Sequence, residues 1–342
     1  MRDRDYLMDQ HGVVFKVIGD VHPASHYLGY VKYHPDPHGD RQLLGRTYRQ
    51  NSVVSKSFGI LAERPECYVY SDVLGCVITG LPRGQVALHH SCRTALSTIH
   101  ANPHLVRNAR AGADLLAIID RIVSLGAREL FGITGSFLVG CFNDRSDIDL
   151  VCYGPDGYAA ARELFGVGDL IRPYAGDTLM QLYLRRAKYM AGSAFDTLIK
   201  QERRKFQGLT AGTGAHINCE PIRCDCDQTF ARTTAKEIGH MALLAKITDH
   251  REGLVTPALY GIKVKTILSS TVDEPDSFAR KITHMRSYLG AYTGAFRTGD
   301  IVHLSGKLVH TQDDTQDAHR SGFGIELTPW SVTESYLATL TG

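Results

Sequence analysis

Asp147 and Asp149 are the residues best placed to do chemistry. They stand two apart in DIDLVCYG (147–154). Alternate residues of a strand point to one side, so the spacing predicts two carboxylates on one face. Such a pair is a hard oxygen site suited to Mg2+. Ile148 and Leu150 would face the other way and anchor the strand in a core. Gly135-Ser136 precedes the pair, with ten residues between. Glycine permits a tight turn and a close approach to a ligand. Ser136 then opens a short helical stretch, FLVGCF (137–142), whose first free N–H groups and hydroxyl can face a phosphate.

These residues need a scaffold, and the flanking sequence predicts one. ELFGIT (129–134) reads as a strand and NDRS (143–146) as a loop. Leu115, Leu116, Ile118, Ile119, Ile122, Val123 and Leu125 have the spacing of an amphipathic helix over 108–126, stopped by Gly126. Helical patterns resume at 156–166, 177–191 and 193–206. GLTAGTG (208–214) reads as a glycine-rich loop and HINCEPIR (216–223) as a strand. On either side the pattern is β. VVFKVIG (13–19), YLGYVKYH (27–34) and ECYVYSDVLGCVITGLPRG (66–84) carry strand patterns between turns, with no long helix evident before 105. After 229, HMALLAKITDH (240–250), ALYGIKVKTIL (258–268), MRSYLGAYTGAF (285–296), DIVHLSGKLVH (300–310) and GFGIELTPW (322–330) predict strands of a small barrel or sandwich, with the look of an oligonucleotide-binding barrel. The expectation is an α+β chain in three parts: β-rich 1–105, a core of short mixed sheet with helices over 106–228, and β-rich, barrel-like 229–342.

The stretch GITGSFLVGCFNDRSDIDLVCYG (132–154) resembles the DNA polymerase β-like nucleotidyltransferase superfamily. Its motif is a hydrophobic residue, Gly-Gly or Gly-Ser, roughly nine to thirteen residues, then acid–hydrophobic–acid. Ser146-Asp147-Ile148-Asp149-Leu150 is especially similar to the minimal nucleotidyltransferases, whose helix commonly has an arginine where this chain has Val139. The opening RDRDYLMDQHGVVFKVIGDVHP, followed by this core and a β-rich tail, is similar to a group of archaeal and bacterial predicted nucleotidyltransferases. The resemblance implies a polymerase-β-type core that moves a nucleoside monophosphate from a nucleoside triphosphate to an acceptor hydroxyl or phosphate, releasing pyrophosphate. It implies a two-metal Mg2+ site, with Mn2+ able to substitute, held by Asp147, Asp149 and a third carboxylate from a later strand. Glu220 is the first choice for that carboxylate, with Asp225 and Asp227 as rivals. Gly135 and Ser136 would meet the β- and γ-phosphates.

Basic residues crowd LRRAKYM (184–190) and IKQERRKF (199–206). Arg186 and Lys188 among them would bind the triphosphate or an RNA acceptor; the same pattern also describes a solvated helix face. Cys219, Cys224 and Cys226, with His216, offer donors that zinc accepts, but lack the usual C-x2-C spacing and read more simply as reduced thiols. His89-His90-Ser91-Cys92 has no identifiable third group and reads as structural.

The 38 basic and 36 acidic residues leave a net charge of +2. That balance argues against whole-surface attraction to a long polyanion. The acceptor is therefore expected to be a small metabolite, with an RNA 3′ end as the second candidate. No stretch approaches about eighteen apolar residues, so no membrane span is expected. The polar start MRDRDYLMDQHG has no apolar h-region, so the eight cysteines are expected as thiols of a cytoplasmic protein. A reading from another class is a catalytically silent nucleotide- or RNA-binding sensor. The two part on whether a third carboxylate lies within reach of Asp147 and Asp149.

Overall fold

The computed structural model describes residues 1–166, 168–187, 195–223, 233–313, 322–327 and 336–339. The chain is α+β and rich in strands. The three parts read along the sequence gather in space into two compact units. One is Met1–Val69, Thr79–Tyr174 and Phe206–Cys226; the other is Tyr70–Ile78, Ala175–Lys205 and Asp227–Gly342.

The first unit holds the motif in a five-stranded sheet. Its spatial order is Ile171–Arg172, Phe206–Thr210, His216–Ile222, Ile148–Tyr153, Phe131–Thr134. Ile148–Tyr153 runs antiparallel to Phe131–Thr134 and parallel to His216–Ile222. The stretch expected as a glycine-rich loop begins inside a strand, because Gly208 pairs with Ile217. One face of this sheet is apolar. Ile148, Leu150, Cys152, Ile217 and Cys219 are buried with Leu115, Ile118, Ile119 and Ile122 of the helix Gly112–Ser124, and with Ala161 and Leu164 of the helix Gly154–Gly166. The helix Gly112–Ser124 ends in paired bonds, Ala127 N to Ile122 O and Gly126 N to Val123 O. Gly126, at φ 66°, makes that left-handed ending without strain.

A helix, Cys92–Ala101, lies where the sequence showed none. It buries Cys92, Ala95, Leu96 and Ile99, the i, i+3, i+4, i+7 stripe of an amphipathic helix. Asp5 Oδ1 accepts the backbone N–H of Cys92 at 2.9 Å. This cap comes from a residue remote in sequence, so the local pattern alone understates the helix.

A second sheet of this unit has the spine Arg41–Leu43, Arg46–Gln50, His26–Pro35, Val14–Val17, Tyr6–Asp9, Val86–His90 in spatial order. Leu7, Phe15, Val17, Val31 and Leu81 form its apolar face. The opposite face packs Tyr6, Met8, Val14 and Tyr33 onto Val139 and Cys141, just beyond the Gly-Ser turn.

In the second unit, Thr233–Asp249, Ala258–Ser270, Ile282–Ser287, Gly322–Leu327 and Ile301–Asp313 follow one another around a closed ring. The ring closes because Ile301–Asp313 pairs back onto Thr233–Asp249. The strands Ile282–Ser287 and Gly322–Leu327 are parallel and the other ring pairs antiparallel. The strand expected over 285–296 stops at Ser287. Beyond it Ala291, Tyr292, Ala295 and Phe296 turn into the apolar cluster of the ring, broken from extended form by Gly290 and Gly294. The helices Gly176–Ala187 and Phe195–Glu202 add Leu179, Tyr183, Phe195 and Ile199 to that cluster. Among the described residues, no helix is long and apolar enough to cross a membrane.

Candidate active site

Strand register sets the geometry around the aspartates. Asp149 stands opposite Thr134 on one neighbour and Asn218 on the other, and Val151 stands opposite Glu220. Residues paired across strands share a face. Asp149, Asn218 and Glu220 therefore lie together on the face turned away from the helices. Further along, the same face becomes apolar, with Val151, Tyr153 and Ile222 buried against Cys92. Asp147, at the mouth of the strand, is exposed, and Asp149 is partly buried.

Asn218 Nδ2 donates a hydrogen bond to Asp149 Oδ1 and fixes the carboxylate. Burial raises the Asp149 carboxyl from its ordinary value. Lys16, the Asn218 bond and Lys32 pull it down, while Glu220 adds to the rise.

Gly135 lies against Asp149. Its φ is 70°, in the left-handed region. A Cβ at Gly135 would sit 3.0 Å from Asp149 Cγ and closer still to Oδ2. Both the backbone conformation and the space demand glycine. The helix that follows, Gly135–Val139, is one short turn. The carbonyl of buried Ser136 accepts N–H bonds from Gly140 at 2.9 Å and Cys141 at 3.1 Å, and Gly140 closes the turn at φ 81°.

The loop carrying Asp147 is braced by Arg41, from the second sheet of the same unit. Arg41 Nη1 donates to Ser146 Oγ at 2.7 Å and to the Cys141 carbonyl at 3.3 Å, and Nη2 donates to Gln50 Oε1 at 2.9 Å. Ser146 Oγ also accepts the Asn143 N–H at 2.8 Å.

Glu220 shares the face of Asp149, as strand alternation predicts, but its carboxylate is engaged. Arg4 Nε lies 2.6 Å from Glu220 Oε2 and 3.2 Å from Asp3 Oδ2. Arg4 sits at φ 73°, uncommon for a residue with a side chain. Its carbonyl accepts bonds from Thr134 Oγ1 at 2.9 Å and Cys92 Sγ at 3.0 Å, which hold that conformation. Among the described residues, no three His, Cys, Asp or Glu side chains gather closely enough to hold a metal ion.

Three groups that act on Asp149 were not singled out from sequence, Lys16, Lys32 and Asn218, nor were Tyr30 and Arg4, which interact with the lysines and Glu220. Lys16 pairs in register with Tyr6 on one strand and Tyr30 on the next. Burial pushes the Tyr30 phenol up, but Lys32, Lys16 and Arg4 outweigh it and hold the phenol below its usual value. A signal existed for two of them. Lys16 is the one charged residue in VVFKVIG, and Asn218 alternates with Glu220 in HINCEPIR.

Lys188, Asp225, Asp227, Cys224, Cys226 and the side chain of Arg186 lie outside the described residues. Cys219 is buried on the helix side of the sheet, whereas strand alternation puts His216 on the other side. Burial pushes the Cys219 thiol well up, as expected of an unreactive core cysteine. Cys92 is likewise buried, its thiol raised by burial and bonded to the Arg4 carbonyl.

Over 333 residues, 94% of each chain, this protein is 21% identical to "Uncharacterized protein MJ1086" of Methanocaldococcus jannaschii. That similarity extends over both units and is not confined to the motif. No family model matches the chain, and no solved structure matches it.

Proposed function

We propose that this chain is a Mg2+-dependent nucleotidyltransferase that moves a nucleoside monophosphate from a nucleoside triphosphate to an acceptor. One observation carries the reading: Gly135 and Asp149, distant in sequence, meet with no room for a side chain between them. A glycine turn held against a strand carboxylate leaves an open approach for a phosphate beside the metal-binding oxygens. The mixed pairing of Ile148–Tyr153, antiparallel on one side and parallel on the other, supports the same reading.

The donor set fits Mg2+. Asp147 and Asp149 supply carboxylate oxygens, and glycine at 135 puts no side chain between the turn and the Asp149 carboxylate. Bound there, Mg2+ would neutralise triphosphate charge and acidify an acceptor hydroxyl. Asn218 orients the Asp149 carboxylate, and Arg41 holds the loop that delivers Asp147. Gly135 and Ser136 line the phosphate approach. Glu220 is the third carboxylate and the base for the acceptor proton, which requires it to part from Arg4. The preferred acceptor is a small metabolite, with an RNA 3′ end as the alternative.

The Arg4–Glu220 ion pair favours a second reading, a nucleotide-binding protein without turnover, in which Glu220 serves only as the counter-ion of Arg4. Incubating the protein with Mg2+, each of the four ribonucleoside triphosphates and a mixed metabolite extract separates the two. The enzyme reading expects pyrophosphate release from one triphosphate. Binding with no release from any of them favours the silent protein.

A further inference from the structure

Outside the motif, the first unit has two lysines without an evident task. Lys16 and Lys32 are partly buried on the second sheet. Among the described residues neither makes an ion pair. An ammonium group drawn partly from water carries a desolvation cost that a bound anion would offset.

Their position is set by register. Lys16 is cross-strand partner to Tyr6 and Tyr30, so these three side chains share a face. Tyr6 belongs to the cluster that packs on Val139 and Cys141, at the end of the Gly-Ser turn. Lys16 and Lys32 both act electrostatically on Asp149, and Lys32 also acts on Cys141. Lys16 thus shares the face that packs on the end of the turn, and both lysines lie within electrostatic reach of the Asp149 carboxylate. The third cation nearby, Arg4, is already occupied by Glu220 and Asp3. Were Asp147 and Asp149 neutralised by a divalent cation, Lys16 and Lys32 would remain as surplus positive charge. Two separated ammonium groups suit a ligand with several anionic oxygens along its length.

We propose that Lys16 and Lys32, with the Tyr30 hydroxyl beside them, form the subsite that holds the polyphosphate chain of the nucleotide. This rests on the nucleotide reading of the site, and it moves the phosphate-binding cations from the basic helices around 184–206 to the N-terminal sheet. Tyr30 contributes a hydroxyl donor opposite Lys16.

Inorganic tripolyphosphate is the probe, titrated by calorimetry in EDTA so that no metal mediates binding. The intact chain is expected to bind it, and each of Lys16→Met and Lys32→Met to weaken it about tenfold, as for the loss of one charge-assisted bond. Lys16→Arg and Lys32→Arg keep the charge and should stay within a few-fold of the parent, which separates loss of a contact from loss of fold. Asp147→Asn/Asp149→Asn should bind at least as tightly, since it removes two like charges from the site. Unchanged affinity in both methionine variants overturns the subsite, as does failure of the intact chain to bind. Lysine-dependent binding without Mg2+-dependent nucleotide turnover keeps the subsite and rejects the transferase.

Discussion

Asp149 Oδ2 occupies the space that any side chain at position 135 would need, and Gly135 has a backbone conformation that favours glycine. Gly135→Ala therefore meets two penalties, left-handed strain of about 1–2 kcal/mol and displacement of the Asp149 carboxylate. Urea unfolding should show a loss of at least the strain, and triphosphate binding with Mg2+ should fall more than tenfold. A variant of unaltered affinity would separate the turn from the site.

The role of Glu220 in turnover is separable from its pairing with Arg4. As the third carboxylate, its replacement in Glu220→Gln should lower kcat by two orders of magnitude or more while changing KM little, the pattern of a group used only in the transition state. As a mere counter-ion of Arg4, the same change should leave kcat intact and lower only the melting temperature. Steady-state kinetics and a thermal melt on one preparation read both outcomes.

The placement of Asp149 and the Gly135 turn were legible because both follow from local rules, strand alternation for the carboxylate and a glycine at a tight turn, whereas Asp147 falls just outside the strand. The face of Glu220 was legible through the same alternation. The occupant of that face was not, because Arg4 comes from the far end of the unit's chain and meets Glu220 only through folding. The helix Cys92–Ala101 was missed for a related cause, its cap being Asp5. Lys16 and Lys32 are charged positions of short strand patterns, and only register sets Lys16 opposite Tyr30. Tertiary partners of this kind leave no local periodicity to read.

His284 gives the second unit a pH dependence. Burial first, then the Arg286 charge, lower its pKa to about 4, and Thr283 Oγ1 lies 3.1 Å from its Nδ1. Gly324 packs directly on the ring. The unfolded chain takes up the proton near the ordinary value of 6.5 while the folded one resists it. The stabilisation is therefore full above pH 6.5 and lost as pH falls toward about 4. Its size is roughly 3 kcal/mol. Melts across that window should flatten in His284→Gln relative to the parent; parallel curves would refute the assignment.

Arg286 and Glu326 form a buried pair in the same unit, with the Arg286 guanidinium also donating to the Val73 carbonyl at 2.9 Å. Glu326→Gln leaves the guanidinium without its counter-charge and should cost about 3–5 kcal/mol. Replacing both, as Arg286→Met/Glu326→Leu, should recover much of that loss. Denaturant titration of the three proteins measures it, and a double variant as unstable as the single one would contradict the argument.

The most direct test of the central claim is calorimetric binding of each ribonucleoside triphosphate to the intact chain and to Asp147→Asn/Asp149→Asn, with Mg2+ and with EDTA. Metal-bridged binding at the two aspartates predicts one triphosphate that binds at least tenfold more tightly with Mg2+, and loss of that Mg2+ enhancement in the double variant. Absence of Mg2+-dependent binding for all four triphosphates, or an enhancement that survives the loss of both carboxylates, would contradict it.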